Sequence, residues 1–523
     1  MIIKKTSLRS SHYKFYETGV MMNKLQKRLQ RANGVIMPIF SIPSAYGIGT
    51  FGKEAYRIVD FISDASLRYW QILPLGQTSY GDSPYQSFSS FAGNPYFIDL
   101  DMLIEDKLLE KDDLESLNFG DSERYVDYAI QYNLRYRILK KAYENSKGKL
   151  DSQIKKFRKE EAFWIEDYAL FMAIKRDCLD ISWVEWDDKL RDRDKNTLKE
   201  FKEEHQEDIG FYVFIQYEFF KQWNELKNYA NRRNIQIIGD LPIYVAYDSC
   251  DSWVNSDILK IDQETKKAIT VGGAPPDAYS EDGQLWGNPV YDWDKMKEDS
   301  YEFWEKRIEM AFRTYDLLRL DHFRGFEKFY AIPASDDNAK FGEWIEAGSY
   351  DFFDHIKKKF PDKQFIAEDL GFITKEVDDL KDAYGFPGMN VIQFAFGENF
   401  DSNYLPHNYL RNSVVYSSTH DSSTLRGWLE TMDEEELELV ERYFALEEGD
   451  DYQWRIIRSL MASVSDLAMF EIQDFLSMDN TSQINRPGTL GNNWKWRAKK
   501  EDFTDSLALK IKEMSRLYGR YNG

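Results

Sequence analysis

The chain has 523 residues, 42% of them hydrophobic and 30% charged, which is enough apolar material for a large buried core. Its formal net charge of -22 and the lack of any long Lys/Arg block exclude a surface built to hold phosphates, so no nucleic-acid partner is expected. Only Cys178 and Cys250 occur, which excludes a disulfide framework and a paired-cysteine zinc site, and no apolar stretch reaches the roughly 18 residues of a membrane span.

From the N-terminus, residues 1–22 are polar and patternless and read as a disordered or mis-assigned extension, with Met21 or Met22, before the helix-like stretch Asn23–Leu29, as the natural start. No apolar core of a signal peptide is present, so a cytoplasmic location is expected. Eight short apolar, β-branched runs then follow, at residues 35–40, 70–75, 235–240, 317–321, 365–368, 391–396, 414–421 and 468–474. Helical or irregular text separates them, the pattern of βα units around a parallel sheet. Eight such units predict an α/β protein of the closed (β/α)8 TIM-barrel class, a single catalytic unit over 23–523. The gap at about 76–234 is too long for one crossover and predicts a mainly helical insertion. About fifty residues follow the last run, too few for a C-terminal β-sandwich domain.

In such a barrel, working groups project from the C-terminal ends of the strands onto one face. The third, fourth, fifth and seventh runs end in the carboxylates Asp240, Asp321, Glu368 and Asp421, beside Arg319 and His420. A lone acid at a strand end is ordinarily a solvated side chain or a helix cap; four converging acids suit chemistry on a glycosidic bond, which needs a carboxylate nucleophile and a protonated carboxyl. Strand alternation points Arg319 and Asp321 to the same side, so the guanidinium can hold that carboxylate ionised as a nucleophile. Glu368 follows three small or apolar residues, and partial desolvation suits it to act as general acid. Asp421, adjacent to His420, would stabilise positive charge on a sugar ring or grip its hydroxyls. The 14 Trp, 33 Tyr and 35 Phe supply rings beyond core packing, suited to a ligand with apolar faces and polar edges, such as a sugar chain.

Several blocks, in order, resemble the amylomaltase or disproportionating-enzyme family, the 4-α-glucanotransferases of glycoside hydrolase family 77 related to the α-amylases. They are Ser83-Pro84-Tyr85-Gln86, Gly239-Asp240-Leu241-Pro242, Gly272-Gly273-Ala274-Pro275-Pro276-Asp277, Gly283-Gln284-Leu285-Trp286-Gly287-Asn288-Pro289, Arg319-Leu320-Asp321-His322-Phe323, Ala367-Glu368-Asp369-Leu370-Gly371, Thr419-His420-Asp421 and Asn492-Asn493-Trp494. The resemblance implies transfer of α-1,4-glucan segments from a donor maltooligosaccharide to an acceptor glucan or glucose, without metal or cofactor, by a monomer or homodimer. It implies Asp321 as nucleophile, Glu368 as acid/base and Asp421 as transition-state stabiliser, with Arg319 and His420 in support and Tyr85, Asp240, Gln284, Trp286 and Asn485 touching the glucan. The Gly/Pro-rich segment at about 272–289 is expected to be a lid loop whose Trp286 covers the bound chain and excludes water. Ser422-Ser423 and Gln483-Ile484 depart from the family pattern, next to sugar-contact loops but outside the three acids. The rival readings are an α-glucan hydrolase with the same acids, a divalent-cation barrel, and a glucan-binding protein without catalysis.

Overall fold

The structure, a computed structural model, describes residues 25–521 except 80, 277–279, 397–401 and 490. The expected N-terminal extension, with Met21 and Met22, lies outside the described residues. The described part of the helix-like stretch that follows it, 25–29, is irregular rather than helical.

One parallel sheet holds eight strands, β1 (Ala32–Ile36), β2 (Tyr69–Gln71), β3 (Gln236–Leu241), β4 (Leu317–Leu320), β5 (Phe365–Ala367), β6 (Gly388–Val391), β7 (Ser413–Tyr416) and β8 (Leu467–Glu471). Seven lie on the expected runs, while the sixth strand precedes the run at 391–396 and shares only Val391 with it, because Ile392–Phe394 turns into a 3-10 helix. Each pairs with its sequence neighbours except β5 with β6, and β8 pairs back onto β1, with Ala32 opposite Leu467 and Ile36 opposite Glu471. At the β5–β6 seam the Ala367 N–H donates to the Pro387 carbonyl at 2.9 Å, so the sheet closes into a (β/α)8 barrel.

Period-2 alternation sorts every strand. Ile36, Tyr69, Ile238, Leu317, Ile366, Met389, Val391, Val414, Tyr416, Leu467 and Met469 pack together as one buried cluster contributed by all eight strands, the barrel interior. Their neighbours Val35, Trp70, Ile237, Leu318, Phe365, Val415 and Phe470 join the outer core beneath the helices. Two residues beyond the interior positions, the same inward columns turn polar: Gln71, Asp240, Arg319, Glu368, Ser418 and Glu471. The functional layer is thus the next pleat above the apolar one.

The outer ring comprises α1 (Lys53–Asp64), α2 (Gln206–Arg232), α3 (Glu302–Thr314), α4 (Ser349–Lys359), α5 (Lys375–Tyr384), α6 (Tyr452–Ala462) and α7 (Asp505–Leu517). α1 buries Ala55, Ile58, Val59 and Ile62, the spacing of one helical face. Asp451 and Thr504 cap α6 and α7 by accepting from the Trp454 and Leu507 amides. Between β6 and β7 the described residues hold only 3-10 turns, Ile392–Phe394 and Pro406–Asn408, so one of the eight units lacks an α-helix there. The 76–234 gap carries helices including Tyr128–Ser146, Asp151–Glu160, Ile165–Asp177 and Lys195–Glu204. α2, the last of that stretch, runs into β3 and packs on α1, and its Trp223 Nε1 donates to the Thr314 carbonyl at 3.0 Å. It therefore serves as the β2–β3 crossover.

The expected lid loop is in fact a β-hairpin, Thr270–Ala274 with Gln284–Pro289, in a four-stranded antiparallel sheet with Lys328–Pro333 and Glu343–Glu346. Gly272 and Gly273 permit close approach, whereas Gly283 and Gly287 adopt positive φ, 68° and 74°. A Cβ on Gly272 would lie 2.6 Å from the Tyr244 ring and one on Gly273 would lie 2.1 Å from the Gln284 carbonyl.

Candidate active site

Arg319 is the hub. Its Nη1 donates to both oxygens of Asp240, at 2.7 and 2.8 Å, and to Asp321 Oδ1 at 2.8 Å, while Nη2 stands 4.0 Å from Glu368 Oε2. β3 and β4 set this geometry by register, which places Asp240 opposite Arg319. Gly239 lies behind Asp240, where a Cβ would sit 2.1 Å from the Tyr315 ring. Asp240 is fully buried and wholly engaged, since its Oδ2 also accepts from the Tyr85 hydroxyl at 2.7 Å.

Glu368 is held from below by two backbone amides. His322 N–H donates to Oε2 at 2.6 Å and Leu370 N–H to Oε1 at 3.1 Å. His322 presents its amide by adopting the left-handed conformation, φ 48°, a strained choice for a non-glycine residue. Burial raises the Asp321 and Glu368 carboxyls alike. Arg319 opposes this for both, at hydrogen-bonding distance for Asp321 and more remotely for Glu368, and the Asp321 charge pushes Glu368 higher still. Glu368 is therefore the member that keeps its proton at neutral pH.

Asp421 lies across the cleft at the end of the β7 run, with 46% of its side chain open. Asn485 Nδ2 donates to Oδ1 at 2.6 Å and His420 Nε2 stands 3.2 Å from Oδ2. Burial alone would raise this carboxyl, but the His420 and Asn485 partners outweigh it and hold it down at about 2. Because Tyr85 donates to Asp240, its oxygen accepts from His420 Nε2–H at 2.8 Å, which places a hydrogen on Nε2 and links the Asp421 side of the cleft to the Arg319 hub. Tyr85 stacks on His420 at 5.4 Å between ring centroids, and Trp494 backs both, at 5.9 and 6.0 Å.

The hairpin brings Trp286 over the site edge-on to His322, with centroids 4.9 Å apart, and 6.2 Å from Tyr244. Gln86 Nε2 donates to Asn288 Oδ1 at 2.8 Å and so ties the hairpin to the Tyr85 loop. Of the residues singled out from the sequence, Asp240, Asp321, Glu368, Arg319, Tyr85, His420, Asp421 and Asn485 form one connected network. Trp286 joins it through His322, whereas Gln284 only accepts from Trp286 Nε1, at 3.1 Å. Trp494, whose ring completes the Tyr85–His420 stack, was not anticipated as a site group, whereas His322 stands next to Asp321 in the sequence as an expected sugar-hydroxyl contact, and its buried Nε2 has no partner among the described residues. Burial lowers the His322 imidazole to about 4, so it stays neutral. Among the described residues no three His, Cys, Asp or Glu side chains converge as metal ligands.

A barrel whose strand ends aim a protonated and an ionisable carboxyl at one cleft is an architecture for glycosidic-bond chemistry. Comparison with known proteins makes the class specific. The sequence model for the glycoside hydrolase family 77 4-alpha-glucanotransferases matches residues 37–503. The chain is 50% identical to a 4-alpha-glucanotransferase of Clostridium butyricum over 92% of this chain and 100% of that one, and 44% identical to one of Streptococcus pneumoniae over 94% and 98%. The structure superposes on the amylomaltase from Streptococcus agalactiae in complex with acarbose with a TM-score of 0.92 at 40% identity, covering 94% of this chain and all of that one. This chain belongs to the 4-α-glucanotransferase family.

Proposed function

We propose that this protein transfers α-1,4-glucan segments from a donor maltooligosaccharide to the 4-hydroxyl of an acceptor glucan or glucose by a retaining double displacement. The observation that carries the reading is the asymmetric acid pair on Arg319, in a chain that belongs to this family. Asp321, held by the guanidinium, attacks the anomeric carbon while Glu368 gives its proton to the departing glycosidic oxygen. Asp421, charged across the cleft, stabilises the positive charge that develops on the ring and accepts sugar hydroxyls, with Asn485 and His420 fixing its orientation. The acceptor 4-hydroxyl then loses its proton to Glu368 and displaces Asp321, so one glycosidic bond is broken and one formed. Tyr85, Gln284 and Trp286 complete the glucan site, with Asp240 buried beneath it holding Arg319 and Tyr85 in place, and the Trp286 hairpin covers the covalent intermediate against water. No metal or cofactor is required by these steps.

One catalytic unit spans 23–523, with the helices of the 76–234 gap up to α2 as its insertion. The free cysteines Cys178 and Cys250 and the lack, among the described residues, of any helix long and apolar enough to cross a membrane support a cytoplasmic location. The decisive experiment incubates the purified protein with maltotriose alone, in chelator. A ladder of longer maltooligosaccharides plus glucose at constant reducing ends is the expected result, and rising reducing ends without longer products would make the protein a hydrolase.

A further inference from the structure

The inward polar layer holds a second carboxyl pair that this reaction does not use. Glu471, the last residue of β8, is 1% exposed, and Asp474, in the short helix Ile472–Phe475, is fully buried. Ser418 Oγ stands 3.1 Å from Glu471 Oε2 and 2.5 Å from Asp474 Oδ2, and Ser417 Oγ stands 2.6 Å from the same Asp474 oxygen. The Leu425 amide donates to Asp474 Oδ1 at 2.7 Å. Asp474 therefore ties together the two ends of the segment 417–425, which presents His420 and Asp421 to the cleft.

Hydrogen counting fixes the protonation. A serine hydroxyl has one proton to give, so Ser418 can donate to only one of two carboxyls that both lie within reach. Were both acids ionised, one would face a serine oxygen with no hydrogen between them, buried and uncompensated. Asp474 accepts from the Ser417 hydroxyl and the Leu425 amide as well, the surroundings of an anion. Among the described residues Glu471 has no side-chain donor but Ser418, and its Oε1 has no partner. The consistent arrangement runs from the Glu471 O–H to Ser418, and from the Ser418 O–H to ionised Asp474.

We propose that Glu471 carries its proton in the working protein and that the chain Glu471–Ser418–Asp474 positions the loop bearing His420 and Asp421. Burial, and after it the Asp474 charge, push the Glu471 carboxyl in the same direction. The functional half of this inference rests on the proposed role of Asp421; the protonation half does not.

Glu471→Gln keeps a donor for Ser418 and should retain wild-type kcat, whereas Asp474→Asn, which loses the anion that three donors face, should lower kcat by about tenfold or more. At neutral pH, the infrared C=O stretch of a protonated carboxylic acid should be present in the wild type and weakened in Glu471→Gln. Ser418→Ala cuts the chain without altering either acid and should lower kcat more than it changes KM, which keeps the test valid if Asp474→Asn does not fold. A Glu471→Gln variant as impaired as Asp474→Asn, an unchanged infrared band, or full activity in Ser418→Ala would each overturn the proposal. Full activity in Asp421→Asn would instead defeat the role of Asp421 and leave the infrared result standing.

Discussion

Two carboxyl pairs crown the same barrel, and their surroundings send them in opposite directions. Asp321 and Glu368 share Arg319 and line the open cleft, with 24% and 12% of their side chains exposed. Glu471 and Asp474 share only Ser418 and are sealed off. In both, one member keeps a proton because two buried like charges cannot both persist. Only the first pair has a cation that biases which member ionises, and access for a substrate. The same two side-chain types on one barrel thus become reactive or structural according to one arginine and access to the cleft.

The sharpest way to break this contrast is to remove the charge and keep the shape. Asp321→Asn should cost about 10⁴-fold or more in transfer rate while glucan binding persists, measured by single-turnover kinetics and calorimetry on the variant. If turnover stays near normal, the assignment of the reactive pair is wrong. Replacing the hub conservatively should cost less. Arg319→Lys keeps the charge, but its shorter side chain and single ammonium cannot hold the place of Nη1 between Asp240 and Asp321 while also facing Glu368, and losing one charge-assisted hydrogen bond predicts about a tenfold to hundredfold fall in kcat. An Arg319→Lys enzyme with wild-type kcat would show that charge alone, without the guanidinium, suffices.

The pH profile sharpens the same point. Burial, against Arg319, raises Asp321 to about 6, and burial raises Glu368 to about 8. Since the nucleophile must be ionised and the acid protonated, kcat/KM should fall by about tenfold per unit below the first value and above the second. The linkage has a definite sign. A carboxyl whose folded pKa exceeds its unfolded one makes stability decline as pH rises from the unfolded value toward the folded one. Glu368→Gln removes that loss but turns an NH2 toward one of the two backbone amides, a pH-independent cost, so its melting temperature relative to the wild type should rise between about pH 4 and pH 8. A difference that stays flat over that range would mean that the carboxyl is not raised in the fold.

How much of this was legible in the sequence depends on how local each signal is. The barrel was legible because each strand announces itself within five or six residues, and Asp240, Asp321, Glu368 and Asp421 stand at the ends of those runs. The Glu368 cradle was not, because His322 earns its role through a left-handed backbone that histidine does not advertise. Glu471 and Asp474 sat inside a recognised run, yet their partners Ser417 and Ser418 are more than fifty residues away and nothing local joins them. The strands of the 270–289 hairpin were hidden for a physical reason: Gly272 and Gly273, which read as turn residues, make room for Tyr244 and for the opposite strand, while Gly283 and Gly287 do adopt positive φ.

That hairpin gives the smallest predicted effect and the most specific one. Among the described residues Trp286 makes no hydrogen bond to the acids. It rests edge-on against His322, whose amide holds Glu368, and its indole N–H is tied to Gln284 on the same strand. Removing the ring should therefore disturb water exclusion more than bond cleavage. Trp286→Ala is expected to raise the ratio of hydrolysis to transfer a few-fold, read as glucose and new reducing ends per longer oligosaccharide formed. Total turnover should drop less than in Arg319→Lys, and Trp286→Phe, which keeps an edge against His322, should fall between wild type and alanine. A uniform loss of both reactions would place Trp286 among the groups that hold Glu368, whereas an unchanged ratio at full turnover would assign water exclusion to the acceptor sugar itself.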